Sequence, residues 1–322
     1  MAVYTPVSEA QAAAFVQRLG CGRLQSLQGI QAGIENTNYF VGTDQGEWVL
    51  TLFERLNAEQ LPFYLQFMRH LARHGLPVPE PQADAEGRLV HRLNGRPASL
   101  ANRLPGRHVL APDLAHIAQV GAMLARMHRA GADFPLQQPH LRGLAWWAET
   151  VPVVLPFVGA PQAALLRDEL AFQQQLAASA AARALPRGPI HADLFRDNVA
   201  FAETGGEDRL SGLFDFFFAG IETLLFDVAV CLNDWCTDLA SGRLIEEQAA
   251  AFCAAYEQVR PLDNGERRLL PALLRAAAFR FWLSRLWDGH LPREATLLQA
   301  KDPAPLERVL RERIERPWHP PS

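Results

Sequence analysis

The chain has 322 residues, of which 49% are hydrophobic and 20% are charged. This length and composition allow two domains with sizeable cores, and they exclude a globally disordered chain. The formal net charge is −4, which argues against nucleic acid or an anionic membrane surface as the partner.

Neither the cysteines nor the N-terminus indicates secretion or a metal cluster. The cysteines show no zinc-type spacing, and Cys231 and Cys236 fall in an apolar stretch that favours buried free thiols. The start, MAVYTPVSEAQ, lacks the basic and apolar segments of a signal peptide. The most apolar run, VPVVLPFVGAPQAALL, is broken by three prolines and is too short to span a bilayer. We therefore expect a cytoplasmic enzyme.

The first third of the chain predicts an antiparallel sheet that carries one long helix. A capping-box pattern at Ser8 predicts a short helix through about Leu19. A longer helix is predicted from Asn57 through His74, where Gly75 ends it. Alternating apolar residues predict strands over 23–31, 36–43, 47–53, 88–93 and 97–104.

From about residue 105 the pattern becomes mainly helical. Helices are predicted over 113–129, 162–184, 224–241, 244–258, 264–287 and 304–315, with short strands at 188–190, 199–202 and 210–215. The chain therefore has the pattern of an α+β protein with two lobes, residues 1–104 and residues 105–322.

One polar loop between two short strands carries the candidate chemistry. It reads HADLFRDN over 191–198, and LFDFFF follows at 213–218. Asp193 can accept a hydroxyl proton, while Asn198 and Asp215 offer the oxygen atoms that Mg²⁺ prefers. Phosphoryl transfer needs mainly positioning, metal charge and a carboxylate that orients the attacking hydroxyl. The spacing predicts a magnesium-phosphate site for phosphoryl transfer to a hydroxyl; the alternative for an Asp–Asn loop is simple turn chemistry.

These motifs resemble the aminoglycoside phosphotransferase and choline kinase superfamily, which has a protein-kinase-like fold. The resemblance extends through GIENTNYFV (33–41), the LPG connector (104–106) and LLFDVAVCLNDW (224–235). The spacers FRDN and LNDWC, with RFWLSRLWD (280–288), are most similar to the homoserine kinase branch. The resemblance implies a small sheet lobe that binds nucleotide and a larger, mostly helical lobe that performs catalysis and binds substrate.

The resemblance also implies a role for each matching residue. Asp193 is expected to be the catalytic base, with Asn198 and Asp215 as metal ligands. The residues expected to support the loop are His191, Asp197 and Asp227. The residues expected to contact the nucleotide lie in the loop over the phosphates and at the junction of the lobes; they are Gly33, Asn36, Asn38, Asn102, Arg103 and Leu104.

The third predicted strand lacks the lysine that the superfamily usually places there. Thr51 stands at that position, and the chain contains a single lysine, Lys301. One interpretation is a catalytically silent nucleotide-binding module. The other is that an arginine (Arg55, Arg69 or Arg73) or the amides of the phosphate loop supply the charge. The presence of the candidate base and both metal ligands favours an active enzyme.

The candidate substrate is L-homoserine, which requires a cation for its carboxylate and an acid for its ammonium group. Arg280 and Arg285 could bind the carboxylate, and Asp234 the ammonium group. Arg196 could bind either the carboxylate or the phosphate. The predicted reaction is ATP-dependent phosphorylation of the homoserine hydroxyl to O-phosphohomoserine, a step of threonine biosynthesis. The alternative substrates are other small amine alcohols, namely hydroxylysine, choline, methylthioribose or an aminoglycoside.

Overall fold

The computed structural model describes residues 5–30, 36–291 and 301–321. The chain divides into two compact units. The first comprises Met1–Gly106 together with Ser211–Phe217, and the second comprises Arg107–Leu210 together with Phe218–Ser322. The predicted division at 104/105 assigned 211–217 to the second lobe, whereas the structure places this segment in the first unit.

The described residues of the first unit form an antiparallel sheet with two helices, as the sequence pattern predicted. Its described strands have the order β1-β2-β3-β5-β4, so that each neighbouring pair is antiparallel. In chain order the elements are α1 (Glu9–Arg18), β1 (Leu24–Gly29), β2 (Asn36–Thr43), β3 (Gly46–Phe53), α2 (Leu61–Arg73), β4 (His91–Leu93) and β5 (Arg96–Asn102).

Alternation along β3 builds the core of this unit. Leu50 and Leu52 point to the same face of the sheet and are almost completely buried, in one cluster with Phe15 and Val16 of α1. The capping box predicted at Ser8 is present and starts α1 at the position that this packing needs. The sheet and α1 therefore stabilise each other through burial of one apolar face.

The segment 211–217 joins the first unit through backbone and ring contacts. The Leu213 amide donates to the Pro77 carbonyl at 2.8 Å. The Phe217 ring lies 4.9 Å from the ring of Phe53, and the Phe216 ring lies 5.8 Å from that of Phe67. The apolar residues around Asp215 thus pack in the first unit. The local sequence pattern did not reveal these contacts.

Where the structure describes it, the second unit is mostly helical and contains two short strand pairs. Strand β6 pairs antiparallel with β9, and β7 forms a hairpin with β8, whose last residues belong to the first unit. In chain order the elements are α3 (Leu114–Ala130), α4 (Leu144–Val154), α5 (Ala160–Ala178), α6 (Ala180–Arg183), β6 (Arg187–Ile190), β7 (Val199–Thr204), β8 (Glu207–Leu213), β9 (Gly220–Thr223), α7 (Leu224–Trp235), α8 (Glu246–Glu257), α9 (Asn264–His290) and α10 (Ala304–Glu315).

Several predicted boundaries in this unit were wrong. The helix predicted over 162–184 is interrupted at Ser179, which is extended and whose side chain accepts a hydrogen bond from the Ala182 amide to start α6. The helix predicted over 224–241 ends at Trp235. Helix α4 was missed because Pro152 lies within it, and β9 was not predicted. Over the described residues, no helix is long and apolar enough to cross a membrane.

Close approach of α3 and α8 gives the first testable prediction. A Cβ at Gly121 on α3 would overlap the backbone carbonyl of Phe252 on α8. We expect Gly121→Ala to lower the free energy of unfolding by about 1–3 kcal/mol, because a backbone atom cannot move aside without displacing its helix. Urea denaturation measures the change. The control is Gly159→Ala, since Gly159 has a φ of −69° and a Cβ there would lie 3.9 Å from the nearest atom. Equal destabilisation by both substitutions would contradict this reasoning.

Candidate active site

The polar loop connects β6 to β7 and has an unusual backbone conformation at its start. Ala192 has a φ of +65°, in the left-handed region that residues with a Cβ seldom occupy. Such a conformation costs about 1–3 kcal/mol and persists only where the surroundings impose it. The loop therefore requires a partner that holds the backbone at this point.

That partner is Asp227, in the first turn of α7. Its buried carboxylate accepts hydrogen bonds from the backbone amides of His191 and Ala192, each at 2.8 Å. Burial raises the pKa of Asp227, but the hydrogen bond and charge of His128, with the His191 contacts, outweigh burial and hold it below its ordinary value. The carboxylate is therefore charged at neutral pH and can fix both amides.

A buried hydrogen-bond chain extends from Asp227 toward the surface. The His128 ring on α3 lies with Nε2 3.2 Å from Asp227 Oδ2 and Nδ1 2.7 Å from the Tyr256 hydroxyl. Arg260 donates to that hydroxyl at 3.1 Å and pairs with Glu266 at 2.9 Å. Sequence reasoning missed His128 and Tyr256, because a single histidine in an apolar helix gives no signal of a partner 99 residues away.

The structure brings Asp193 and Asn198 together. The Asn198 side-chain amide donates to the Asp193 backbone carbonyl at 2.7 Å and to its carboxylate Oδ2 at 3.2 Å. The Asp193 amide in turn donates to Nδ1 of the buried His191 ring at 3.2 Å. These contacts fix the direction of the Asp193 carboxylate, and they leave the amide oxygen of Asn198 as the atom that could ligate a cation.

Asp215, the other candidate metal ligand, belongs to the first unit. It follows β8, its side chain is exposed, and its φ is +59°. The rings of Phe216 and Phe217 anchor the chain immediately after it. The left-handed backbone at Asp215 costs stability. Strained backbone of this kind is common at functional positions.

Two predicted substrate residues, Arg196 and Asp234, contact each other. The Arg196 amide donates to Asp234 Oδ2 at 2.8 Å, Nη2 donates to the Asp234 carbonyl, and Nε lies 3.6 Å from Oδ2. Burial raises the pKa of Asp234, and the charge of Arg196 offsets part of that effect. The pair connects the loop to the last turn of α7.

The remaining predicted residues of the second unit occupy different environments. Arg280 on α9 is 3% exposed, and its guanidinium lies 3.9 Å from the ring centroid of Phe281, which lies 4.5 Å from the ring of Phe195 in the loop. Arg285 donates to the Asp302 carbonyl at 2.8 Å. Asp197 is exposed and lies 3.5 Å from Lys301, in the geometry of a weak surface ion pair.

Two of the predicted nucleotide residues lie on β2, and a third is outside the described residues. Asn36 pairs with Phe53 and Asn38 with Thr51 across the two strands. The Thr51 hydroxyl donates to Asn38 Oδ1 at 2.8 Å. Thr51 stands where the superfamily usually has a lysine, and its side chain is hydrogen-bonded to Asn38. Gly33 lies in 31–35, which the structure does not describe.

The segment 102–104 is held against the sheet of the first unit. Asn102 Oδ1 accepts from the Glu80 amide at 2.6 Å. The Arg103 guanidinium stacks on Phe40 at 4.1 Å and pairs with Glu47 at 3.1 Å, and Leu104 follows it. Glu80 Oε1 also lies 3.8 Å from Arg69 Nε and 3.3 Å from Arg73 Nε. These are the two arginines of α2 that were considered as substitutes for the missing lysine.

The sequence matches the model of the phosphotransferase enzyme family over residues 26–262. The chain belongs to this family. It is 61% identical over 318 residues to a homoserine kinase of Polaromonas naphthalenivorans (strain CJ2), with 99% of each chain covered. It is 53% identical to a homoserine kinase of Paraburkholderia xenovorans (strain LB400), with 98% of this chain and 96% of the relative covered.

A solved structure with the same fold is that of the amicoumacin kinase hAmiN, in complex with AMP-PNP, Ca²⁺ and Ami. It has a TM-score of 0.71 and 19% sequence identity, and the match covers 97% of this chain and 95% of that one. These comparisons confirm the family resemblance and the protein-kinase-like fold that the sequence motifs predicted. At this identity the structural match concerns the fold alone.

Asp227 gives a prediction about stability and pH. Its folded pKa is below the ordinary value of about 3.9. Its contribution to stability is therefore fully present above that value and is lost as the pH falls through the folded pKa. We expect Asp227→Asn to lower the free energy of unfolding by about 3–5 kcal/mol at pH 7, because the amide leaves a buried partner unsatisfied.

Urea denaturation of both proteins from pH 7 to pH 3 measures this difference. It should be constant down to about pH 5 and shrink below about pH 4. The groups that face Asp227 include His128, His191, Tyr256 and Cys231. The control is Asp168→Asn, an exposed residue of α5 that should change stability by less than about 0.5 kcal/mol. A loss that grows on acidification would contradict the assignment.

Proposed function

We propose that this chain is an ATP-dependent kinase that phosphorylates the side-chain hydroxyl of L-homoserine, giving O-phosphohomoserine and ADP. The observation that carries the proposal is the pairing of Asp193 with Asn198 on a loop fixed by a buried carboxylate. Support for the substrate comes from relatives named homoserine kinase that match almost the whole chain. We further propose that it acts in the cytoplasm, in threonine biosynthesis.

The proposed chemistry is a single phosphoryl transfer. The homoserine hydroxyl oxygen forms a bond to the γ-phosphorus while the bond from that phosphorus to the β,γ-bridging oxygen breaks, and ADP leaves. The hydroxyl proton passes to the Asp193 carboxylate and from there to solvent. Asn198 contributes by holding Asp193 Oδ2, which orients the base before the substrate arrives.

The metal proposal rests on donor chemistry. The amide oxygen of Asn198 and the carboxylate of Asp215 are hard oxygen donors, which suit Mg²⁺. A bound Mg²⁺ supplies positive charge to the nucleotide's phosphate oxygens. The structural neighbour hAmiN was solved with AMP-PNP and Ca²⁺, which supports a nucleotide and a divalent cation as ligands here.

For the substrate we propose that Arg280 binds the carboxylate of homoserine and that Asp234 binds its ammonium group. Arg280 is favoured over Arg285 because it is buried against aromatic rings that contact the loop, whereas Arg285 donates to a backbone carbonyl. Arg196 pairs with Asp234 and would then hold the Asp234 carboxylate in position. A buried arginine–carboxylate contact is directional and selects strongly for a substrate that carries the acid.

We also propose that the first unit binds ATP. Gly33, Asn36 and Asn38 would lie at the phosphates, and the backbone of Asn102, Arg103 and Leu104 would contact the adenine. The missing lysine would be replaced by backbone amides or by an α2 arginine. Arg69 is the better candidate of the two on that helix, because its side chain is 23% exposed against 60% for Arg73.

A coupled ADP-release assay tests the substrate. We expect L-homoserine to be turned over faster than hydroxylysine, choline, methylthioribose or kanamycin at equal concentration, because only a site with both charges fits an amino acid of this length. Homoserine lactone, which lacks the free carboxylate and hydroxyl, should be inert and serves as the matched control. Faster turnover of choline or kanamycin would contradict the proposed substrate and would show that the chain acts on another substrate class within the family.

The roles of the two aspartates are tested separately. Asp193→Asn should lower kcat by roughly 10²–10⁴-fold with little change in KM for ATP, since it acts on the acceptor hydroxyl. Asp215→Ala should lower metal-dependent turnover and raise the Mg²⁺ concentration needed for half-maximal rate. Asp168→Asn serves as the surface control. Turnover near the wild-type rate in either active-site variant would refute that residue's role.

A further inference from the structure

His140 contacts β9, the strand that pairs with β6, and β6 leads directly into the polar loop that carries Asp193. It belongs to the segment between α3 and α4, and its amide donates to the Ile221 carbonyl of β9 at 3.4 Å. Gly220 allows this approach, because a Cβ there would lie 2.5 Å from the His140 Cα. Gly220 pairs directly with Ile190, the residue before His191. The backbone of His140 is thus fixed next to the loop that carries Asp193.

The side chain of His140 is buried without a hydrogen-bond partner. The residue is 7% exposed, and its ring centroid lies 5.5 Å from that of Phe226. Within 5–30, 36–291 and 301–321, neither ring nitrogen has a hydrogen-bond partner. By contrast, both ring nitrogens of the buried His128 are in contact with oxygen atoms. An unsatisfied buried polar group costs about 1–3 kcal/mol, and a partner that binds in function would offset this cost.

Two arginines and one buried aspartate act on the His140 ring. Burial is the largest effect on the ring, and together with the positive charges of Arg280 and Arg142 it outweighs the opposing charge of Asp227 and lowers the pKa of His140 to about 3. The Arg142 guanidinium lies 4.4 Å from the ring centroid of Trp146 and 5.2 Å from that of Trp287. The acidic side chain of Glu222 also lies near this segment, since a Cβ at Gly143 would lie 3.7 Å from both its Oε2 and His140 Nδ1.

A neutral imidazole has one N–H donor and one acceptor nitrogen. Beside two guanidinium groups, the donor suits an anionic oxygen, and the absence of charge on the ring avoids repulsion from the arginines. Arg280 also connects this region to the reacting end of the site. Its guanidinium lies 4.9 Å from the ring of Phe218, two residues before Gly220, and 3.9 Å from the ring of Phe281, which packs on Phe195.

We propose that His140 determines substrate specificity by donating a hydrogen bond from its ring to the α-carboxylate of the amino-acid substrate, beside Arg280. This inference rests on the proposed function and adds a residue to the same site. It predicts that His140 discriminates between an amino acid and the corresponding amino alcohol, and that the ring contributes little to the stability of the free protein.

The test compares wild type with His140→Phe and His140→Gln, using L-homoserine and 3-aminopropan-1-ol, which is homoserine without its carboxylate. In His140→Phe we expect KM for homoserine to rise at least about tenfold. The kinetic constants for 3-aminopropan-1-ol and the KM for ATP should stay unchanged. His140→Gln keeps a donor and should recover part of the discrimination. If the ratio of kcat/KM for the two substrates is the same in all three proteins, the inference is wrong.

A stability measurement separates binding from a structural role. His140→Phe should leave Tm of the free protein unchanged or raise it, because it removes polar atoms that have no partner. His128→Phe is the control and should lower Tm, since it breaks two buried hydrogen bonds. A Tm for His140→Phe that falls as far as that of His128→Phe, with equal losses on both substrates, would show a structural role instead and overturn the inference.

The wild-type assay reports separately on the proposed function. If wild type phosphorylates neither compound, the proposed function is wrong. The carboxylate site is then tested by the shift in Tm that L-homoserine produces in the absence of ATP. A shift in wild type that is lost in His140→Phe supports the site, whereas equal shifts or no shift in either protein overturn it.

Discussion

The polar loop that carries Asp193 depends on one buried interaction, between the Asp227 carboxylate and two consecutive backbone amides. These bonds hold Ala192 in a left-handed conformation that its own side chain disfavours. The same conformation turns the chain between the buried His191 and the partly exposed Asp193. A charged acceptor suits this task, because hydrogen bonds to an ionised carboxylate are roughly twice as strong as neutral ones.

The charge of Asp227 is itself favoured by His128, which comes from a distant helix and in turn contacts Tyr256. His128 comes from α3 and Tyr256 from α8, and these two helices approach closely where Gly121 lies against Phe252. Packing of helices far from the loop in sequence therefore determines the geometry of the proposed base. A buried network of this kind is stable only when every member has its partner, which is why a change in one helix should affect the loop.

Arginine side chains occupy charged positions in both units, whereas the position of the strand lysine holds Thr51. Thr51 bonds to Asn38, and two α2 arginines lie near Glu80. In the second unit Arg280 and Arg142 act on the buried His140, where the proposed substrate carboxylate would bind. Arginine suits such positions, since its guanidinium stays charged when buried and stacks on the aromatic rings that line this region.

The sequence by itself determined the family, the protein-kinase-like fold and most helices and strands, because these follow from periodicity, end signals and short motifs. It also placed Asp193 near Asn198, since five residues of loop keep them within hydrogen-bond reach. Only the tertiary structure decided that 211–217 joins the first unit, that His128 contacts Asp227 from 99 residues away, and that His140 is buried beside the loop. Those partnerships depend on which helix faces and strand edges meet, and a local pattern contains no information about the surface that lies opposite.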